Sequence, residues 1–194
     1  MYHIPDDKRA KRSAGLIFQA LIKCMKTKRI SDITARDIQE VSGVSRATYY
    51  RLFGNNIEVL EYGCRVLSDR IIEECPEFPS DENTLERFCM YVLKTLMANS
   101  EILEALDMCG RSGMLLQSVK MNGTQLKRIR MLYGVGEVAF EYFINTLYNM
   151  LLGVLTTWIQ RGRKESAEEI TAIFLKLTGI YMNMYKDSAK NAGY

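Results

Sequence analysis

Proline is scarce in this chain of 194 residues, three in all, and histidine occurs once. So few breakers leave room for long helices. Nowhere is there a sustained alternation of apolar and polar residues, which excludes a sheet-based core and points to an all-α fold. No apolar run reaches the roughly 18 residues expected of a membrane span. The opening "MYHIPDDKRAKRSAG" lacks the apolar core of a signal peptide, so the expected location is the cytoplasm, with no membrane contact. Five cysteines, Cys24, Cys64, Cys75, Cys89 and Cys109, form no CxxC pair. With His3 alone near the terminus there is no second ligand type, and the spacing argues against a zinc site. Reduced thiols packed as small hydrophobes are the reading left, and a redox-sensing thiol would need a depressed pKa that sequence does not display. An enzyme fares badly for similar reasons. There is no phosphate-cradling glycine loop and no nucleophile–base pair at useful spacing, and no cofactor is expected.

What is present begins with charge. The net charge of +3 hides a segregation: residues 1–53 carry 11 Lys/Arg against 5 Asp/Glu, and the remainder is net acidic. A basic first quarter suits a polyanion, although many solvated surfaces are basic.

Residues 9–28 read as an amphipathic helix with an apolar stripe of Leu16, Ile17, Ala20, Leu21 and Cys24. After "TKRISD", Thr34 can cap a second helix, with Asp37 at the capping-box position and Ile33 placed to staple onto Ile38. Gly43 is the natural stop. Ser45 caps a third helix, with Val44 placed against Tyr49. Helix, tight turn and helix within about twenty residues is the sequence form of a helix-turn-helix. "GNN" (54–56) ends the third helix and opens a fourth, to about residue 75. Pro76 and Pro79 then mark a loop. Helices follow at 84–98, 100–108, about 112–132, 137–161 and, capped by Ser166 with Glu169, from 167 onwards. The closing "KDSAKNAGY" is expected to fray.

The first three helices can pack around Leu21, Ile38, Val41, Val44, Tyr49 and Phe53. With Val44, Tyr49, Leu52 and Phe53 inward, the third helix shows Arg46, Ala47, Tyr50 and Arg51 outward, with Ser45 and Thr48 near its start. Arg offers a fork to guanine, Thr and Ala can touch a thymine methyl, and Tyr can donate to phosphate. The bland alternative is a short solvated helix. The agreement of caps, turn glycine, basic flank and small Ala47 favours reading of DNA.

Residues 9–60 resemble the N-terminal DNA-binding domain of the tetracycline-repressor (TetR/AcrR) family of transcriptional regulators. The resemblance rests on Ile33, Thr34, Ile38, the "SGVS" turn at 42–45, "RATYYRLF" at 46–53 and Leu60. It implies an α-helical homodimer of about nine helices per chain. Residues 1–55 would form the DNA-binding headpiece, and residues 56–194 an effector-binding and dimerisation domain joined to it by a long helix. It also implies that Thr34 and Arg36 contact base edges or phosphate, that Ser45, Arg46, Ala47 and Thr48 enter the major groove, and that Tyr50 holds the backbone. Repression of a palindromic double-stranded operator, relieved by a small molecule, is the common family outcome, and activation stays open. One departure stands out: the family commonly has Lys where this chain has Asn56. Asn56 can still hydrogen-bond to DNA, but binding should be weaker and less salt-dependent by roughly one counterion per subunit. Lys8, Arg9, Lys11 or Arg12 could supply the missing contact. The same departure favours an alternative, an interaction protein or co-activator of the same fold with a weakened headpiece.

Within the rest, "YFINTLYNMLLGVLTTWIQRGRKESAEEITAIFLKL" resembles the C-terminal region of a Gram-positive subgroup that includes dihydroxyacetone kinase regulators, by Trp158, Gly162 and "ESAEEI". In the family the last two long helices pair with their copies. Leu147, Leu151, Leu155, Trp158, Phe174, Leu177 and Tyr181 are the candidate dimer residues, an intramolecular core being the alternative. Cys64, Leu67, Phe88, Tyr91, Met108, Met114, Met121, Tyr133, Phe140 and Phe143 could line an adaptable pocket for an apolar or amphipathic effector, or simply be core.

Overall fold

Asp7 closes the irregular N-terminal segment by accepting the Ala10 amide at 2.7 Å, and helix α1 (Lys8–Met25) starts there. The computed structural model describes residues 2–79, 83–118 and 140–191, with the side chains of Leu85 and 180–191 left aside. Among the described residues all regular structure is helical. After α1 and a 3-10 turn (Ile30–Asp32) come α2 (Ala35–Ser42), α3 (Arg46–Leu52), α4 (Asn56–Glu73) and α5 (Thr84–Ala98). The series continues with α6 (Ser100–Met108), α7 (Met114–Ser118), α8 (Phe140–Gln160) and α9 (Ala167–Asn191). None of these helices is long and apolar enough to cross a membrane.

The chain divides into two compact units. One comprises Met1–Glu73 and Glu101–Lys120, the other Glu74–Ser100 and Met121–Tyr194. In the first, α1 packs on α2, α3 and α4, and α4 on α7. Its centre holds Ile17, Leu21, Ile38, Leu52, Phe53, Val59 and Leu60, each essentially removed from water. Burial of such side chains contributes roughly 1.5–3 kcal/mol apiece, which is what holds so small a bundle together. Gly63 on α4 lets the helices come together: a Cβ there would lie 2.1 Å from the Phe18 ring of α1.

Two expected core residues are corrected. Leu16 is 43% exposed, because the buried stripe of α1 runs through Ala10, Ala14, Ile17 and Leu21 and Leu16 lies on its far side. Val41 is 46% exposed, because the two-turn helix α2 buries only Ile38 among its own residues.

In the second unit α9 packs against α5 and α8. Thr171, on α9, is buried and donates to the Ala167 carbonyl at 2.7 Å. The α8–α9 connection is closed by local bonds. Trp158 Nε1 donates to the Glu165 carbonyl at 2.9 Å, and Ser166 and Glu169 form a reciprocal capping box. The chain reverses through Gly162 and Arg163, both left-handed at φ 85° and 58°. Helix α9 continues to Asn191, so most of the stretch expected to fray is helical.

Candidate nucleic-acid interface

Thr34 opens α2 by accepting the Asp37 amide at 3.2 Å, while the Asp37 carboxylate accepts the Thr34 amide at 2.8 Å. That reciprocal pairing satisfies two donors the helix would otherwise leave open. Lys28 binds Asp37 from outside at 2.7 Å, and these bonds, Lys28 first, hold the Asp37 carboxyl down to about 2. At the other end Gly43 adopts φ 71° and returns its amide to the Gln39 carbonyl, so α2 stops in one residue. Ser42 Oγ accepts the Val44 amide, and Ser45 Oγ accepts the Thr48 amide at 3.2 Å. The turn between α2 and α3 is thus held by its own side chains, as the capping pattern predicts.

Helix α3 has two different sides. Tyr49 and Leu52 are buried, at 4% and 1% exposure, and Phe53 follows them inward. Arg46, Ala47, Tyr50 and Arg51 face water, Ser45 is exposed at the cap and Thr48 is half-buried. Tyr50 stands edge-on to the Tyr49 ring, with centroids 5.2 Å apart, so its position is braced although it is 66% exposed. Thr34 is exposed but its hydroxyl serves the α2 cap, and Arg36, also exposed, forms an i,i+4 pair with Glu40 at 3.0 Å.

Asn56 is not placed as expected. Its Oδ1 accepts the Tyr49 hydroxyl at 2.8 Å, and its Nδ2 donates to the carbonyls of Ile33, at 2.7 Å, and Ile30, at 3.2 Å. Both amide hydrogens and the carbonyl are engaged inside the headpiece. The residue is a clasp joining the 3-10 turn, α3 and the start of α4, and is corrected from DNA contact to scaffold. Burial, with Tyr50 and Glu58 adding to it, pushes the Tyr49 phenol up to about 12, so it remains a donor to Asn56 at any physiological pH.

Sequence reasoning passed over Tyr2 as a member of this assembly. Its ring lies 6.0 Å from Phe53 and 5.9 Å from Tyr62, and the neighbouring His3 amide donates to the Leu52 carbonyl at 3.1 Å. No sequence signal marks this strap, because its partners are a distant backbone carbonyl and two rings.

The pocket candidates divide between the units. Cys64, Leu67 and Met114 are buried in the first, and burial pushes the Cys64 thiol up to about 12, consistent with a packing thiol. Met108 belongs with them in sequence but is 64% exposed at the end of α6, and is corrected from cavity lining to surface. In the second unit Phe140 and Phe143 are buried and Phe88 and Tyr91 half-buried. Met121 and Tyr133 lie outside the described residues.

Of the dimer candidates, Leu155, Trp158 and Phe174 are buried at 1%, 7% and 3% within the single chain. They are core of the second unit rather than an outward face. Leu147 and Leu151 are half-buried and Leu177 is 42% exposed, while the side chain of Tyr181 lies outside those described. Leu177 and Ile173 border an open apolar groove with Met150, Gly153 and Val154.

No model of a known protein family matches the chain, and no curated protein matches it. Among solved structures it is similar to the crystal structure of a TetR transcriptional regulator from Streptococcus agalactiae 2603V. The two share 18% identity and superpose with a TM-score of 0.58 over 88% of this chain and 96% of that one. At this identity the likeness establishes the architecture: the chain has the all-helical fold of that regulator.

Proposed function

We propose that this protein is a DNA-binding transcriptional regulator of the TetR type. The observation that carries the reading is the division of α3, which buries Tyr49 and Leu52 and offers Arg46, Ala47, Tyr50 and Arg51 to water from a turn capped at both ends. An exposed Arg beside a small residue on a short rigid helix suits a major groove, where a guanidinium can bind guanine bidentately. Thr34, Arg36, Ser45 and Thr48 extend the contact to neighbouring backbone. Residues 1–55 act as the headpiece and the remainder as the effector and dimerisation part.

The protein works as a homodimer, and the exposed Ile173 and Leu177 beside an apolar groove support this. Two headpieces about 34–36 Å apart, or a multiple of it, would enter successive major grooves of a palindromic operator. The regulator represses, and an apolar or amphipathic effector releases it by binding the DNA-free state more tightly, with a coupling of roughly 1–3 kcal/mol. Kinship with the Gram-positive subgroup is supported by Trp158, Gly162 and "ESAEEI", which together build the closed α8–α9 turn.

Gel mobility shift of the gene's own upstream duplex tests the reading. A salt-sensitive, sequence-dependent shift is expected, and none at any protein concentration would overturn it.

A further inference from the structure

The headpiece pairs some of its cations internally and leaves others unpaired. Lys11 is bonded to Asp6, Lys28 to Asp37 and Arg36 to Glu40. Arg9, Arg46 and Arg51 form no ion pair among the described residues. Arg46 lies on the outward face of α3. The other two border a single cleft of about 470 Å³, Arg9 from α1 and Arg51 from α3, with Ser13, Ser45 and Thr48 also lining it; the Ser45 and Thr48 hydroxyls are 3.1 Å apart and hydrogen-bonded to each other. Asp7 also reaches the rim, but its carboxylate is directed at the start of α1, where it accepts the Ala10 amide.

We propose that this cleft seats a phosphodiester of the DNA backbone between Arg9 and Arg51. The proposal rests on the DNA-binding reading above and adds to it the residue that supplies the charge Asn56 lacks. A guanidinium matches phosphate geometry with two parallel donors, and hydroxyls on the same wall can complete the shell. The chain segment before α1 is tied down by backbone bonds, and Arg9 follows it in the first turn of α1. The His3 amide is bonded to the Leu52 carbonyl, and the Asp7 amide to the Pro5 carbonyl at 2.8 Å. Of the four basic residues near the start of α1, Lys11 is engaged by Asp6, whereas Arg9 lines the cleft.

Fluorescence anisotropy of the full-length protein on its selected duplex and on an unrelated duplex, over a salt series, tests the seat. Arg9→Ala and Arg51→Ala should each weaken both duplexes by the same factor. Each should reduce the slope of log affinity against log salt by about one per subunit, the signature of a lost phosphate contact. Arg9→Lys should retain the slope. Unchanged affinity and slope in Arg9→Ala, with the parent protein binding normally, would overturn the seat and leave the regulator reading standing. Failure of the parent to bind any duplex would overturn both. Inorganic phosphate titrated calorimetrically into the DNA-free protein separates the other source of this chemistry. Saturable phosphate binding lost in Arg9→Ala, with DNA affinity untouched, would reassign the cleft to a free phosphate and overturn its role on DNA.

Discussion

The Tyr49 hydroxyl donates to Asn56 Oδ1 at 2.8 Å, across seven residues that include the end of α3 and the "GNN" turn. The same amide reaches back to Ile30 and Ile33, so one side chain ties α3 to the 3-10 turn and to the start of α4. Position 56 is therefore occupied by scaffold chemistry.

Removing the clasp leaves a partly buried hydroxyl and two carbonyls without their partner. Asn56→Ala should lower unfolding free energy by about 2 kcal/mol, and Tyr49→Phe by about 1 kcal/mol. Urea denaturation of the two single variants and the double variant should reveal coupling, since the residues share one bond. Strict additivity would show the bond contributes nothing. Asn56→Lys should not tighten DNA binding, because its ammonium would have to leave that network.

The proposed DNA-reading face of α3 should be separable from the fold. Arg46→Ala and Tyr50→Ala are expected to lose operator binding, while thermal melting changes by no more than about 1 kcal/mol, the value of the Tyr49–Tyr50 ring contact. Parallel loss of folding and binding in both variants would mean that the helix is structural.

Gly63→Ala should destabilise the first unit by roughly 1–3 kcal/mol through overpacking, since its new Cβ meets Phe18 at 2.1 Å and the ring is itself buried. Gly43→Ala meets nothing within 4 Å, so its cost is conformational alone, about 1–2 kcal/mol for a left-handed residue. Calorimetric melting of the two variants checks both, and the Gly63 defect should shrink when Phe18 is shortened to Leu.

Leu155→Asp should unfold the second unit rather than merely separate subunits, since Leu155 is 1% exposed within one chain. Ile173→Asp with Leu177→Asp, at exposed positions, should instead produce a folded monomer. Sedimentation velocity beside circular dichroism distinguishes these outcomes. A folded monomer from Leu155→Asp would show that it lies at the interface.

Asp37 gives an acid dependence of known sign. Its folded pKa, about 2, lies below the ordinary 3.8, so its capping and Lys28 contacts stabilise the fold fully above the ordinary value. That contribution is lost as pH falls from there through about 2. Asp37→Asn should flatten stability against pH over this window, as measured by urea midpoints, and an unchanged slope would refute the assignment.

Caps, the turn glycine and the outward set on α3 were legible in the sequence because each depends on residues within about one helical turn. Thr34 with Asp37, Ser45 with Thr48 and Ser166 with Glu169 obey local backbone geometry that no distant contact needs to supply. Helical periodicity likewise placed α5 and α6 at their observed ends. Burial is different, since it is a property of neighbours. Val41 and Leu16 fit an apolar pattern yet face water, and Leu155, Trp158 and Phe174, assigned to a partner, fill their own chain. The Asn56 clasp spans 23 and 26 residues, and the Arg9–Arg51 cleft exists only once α1 and α3 are packed. Periodicity identifies the side of a helix that seeks apolar company. Only the tertiary structure decides which neighbour provides it, and which polar atoms are thereby taken out of reach of any ligand.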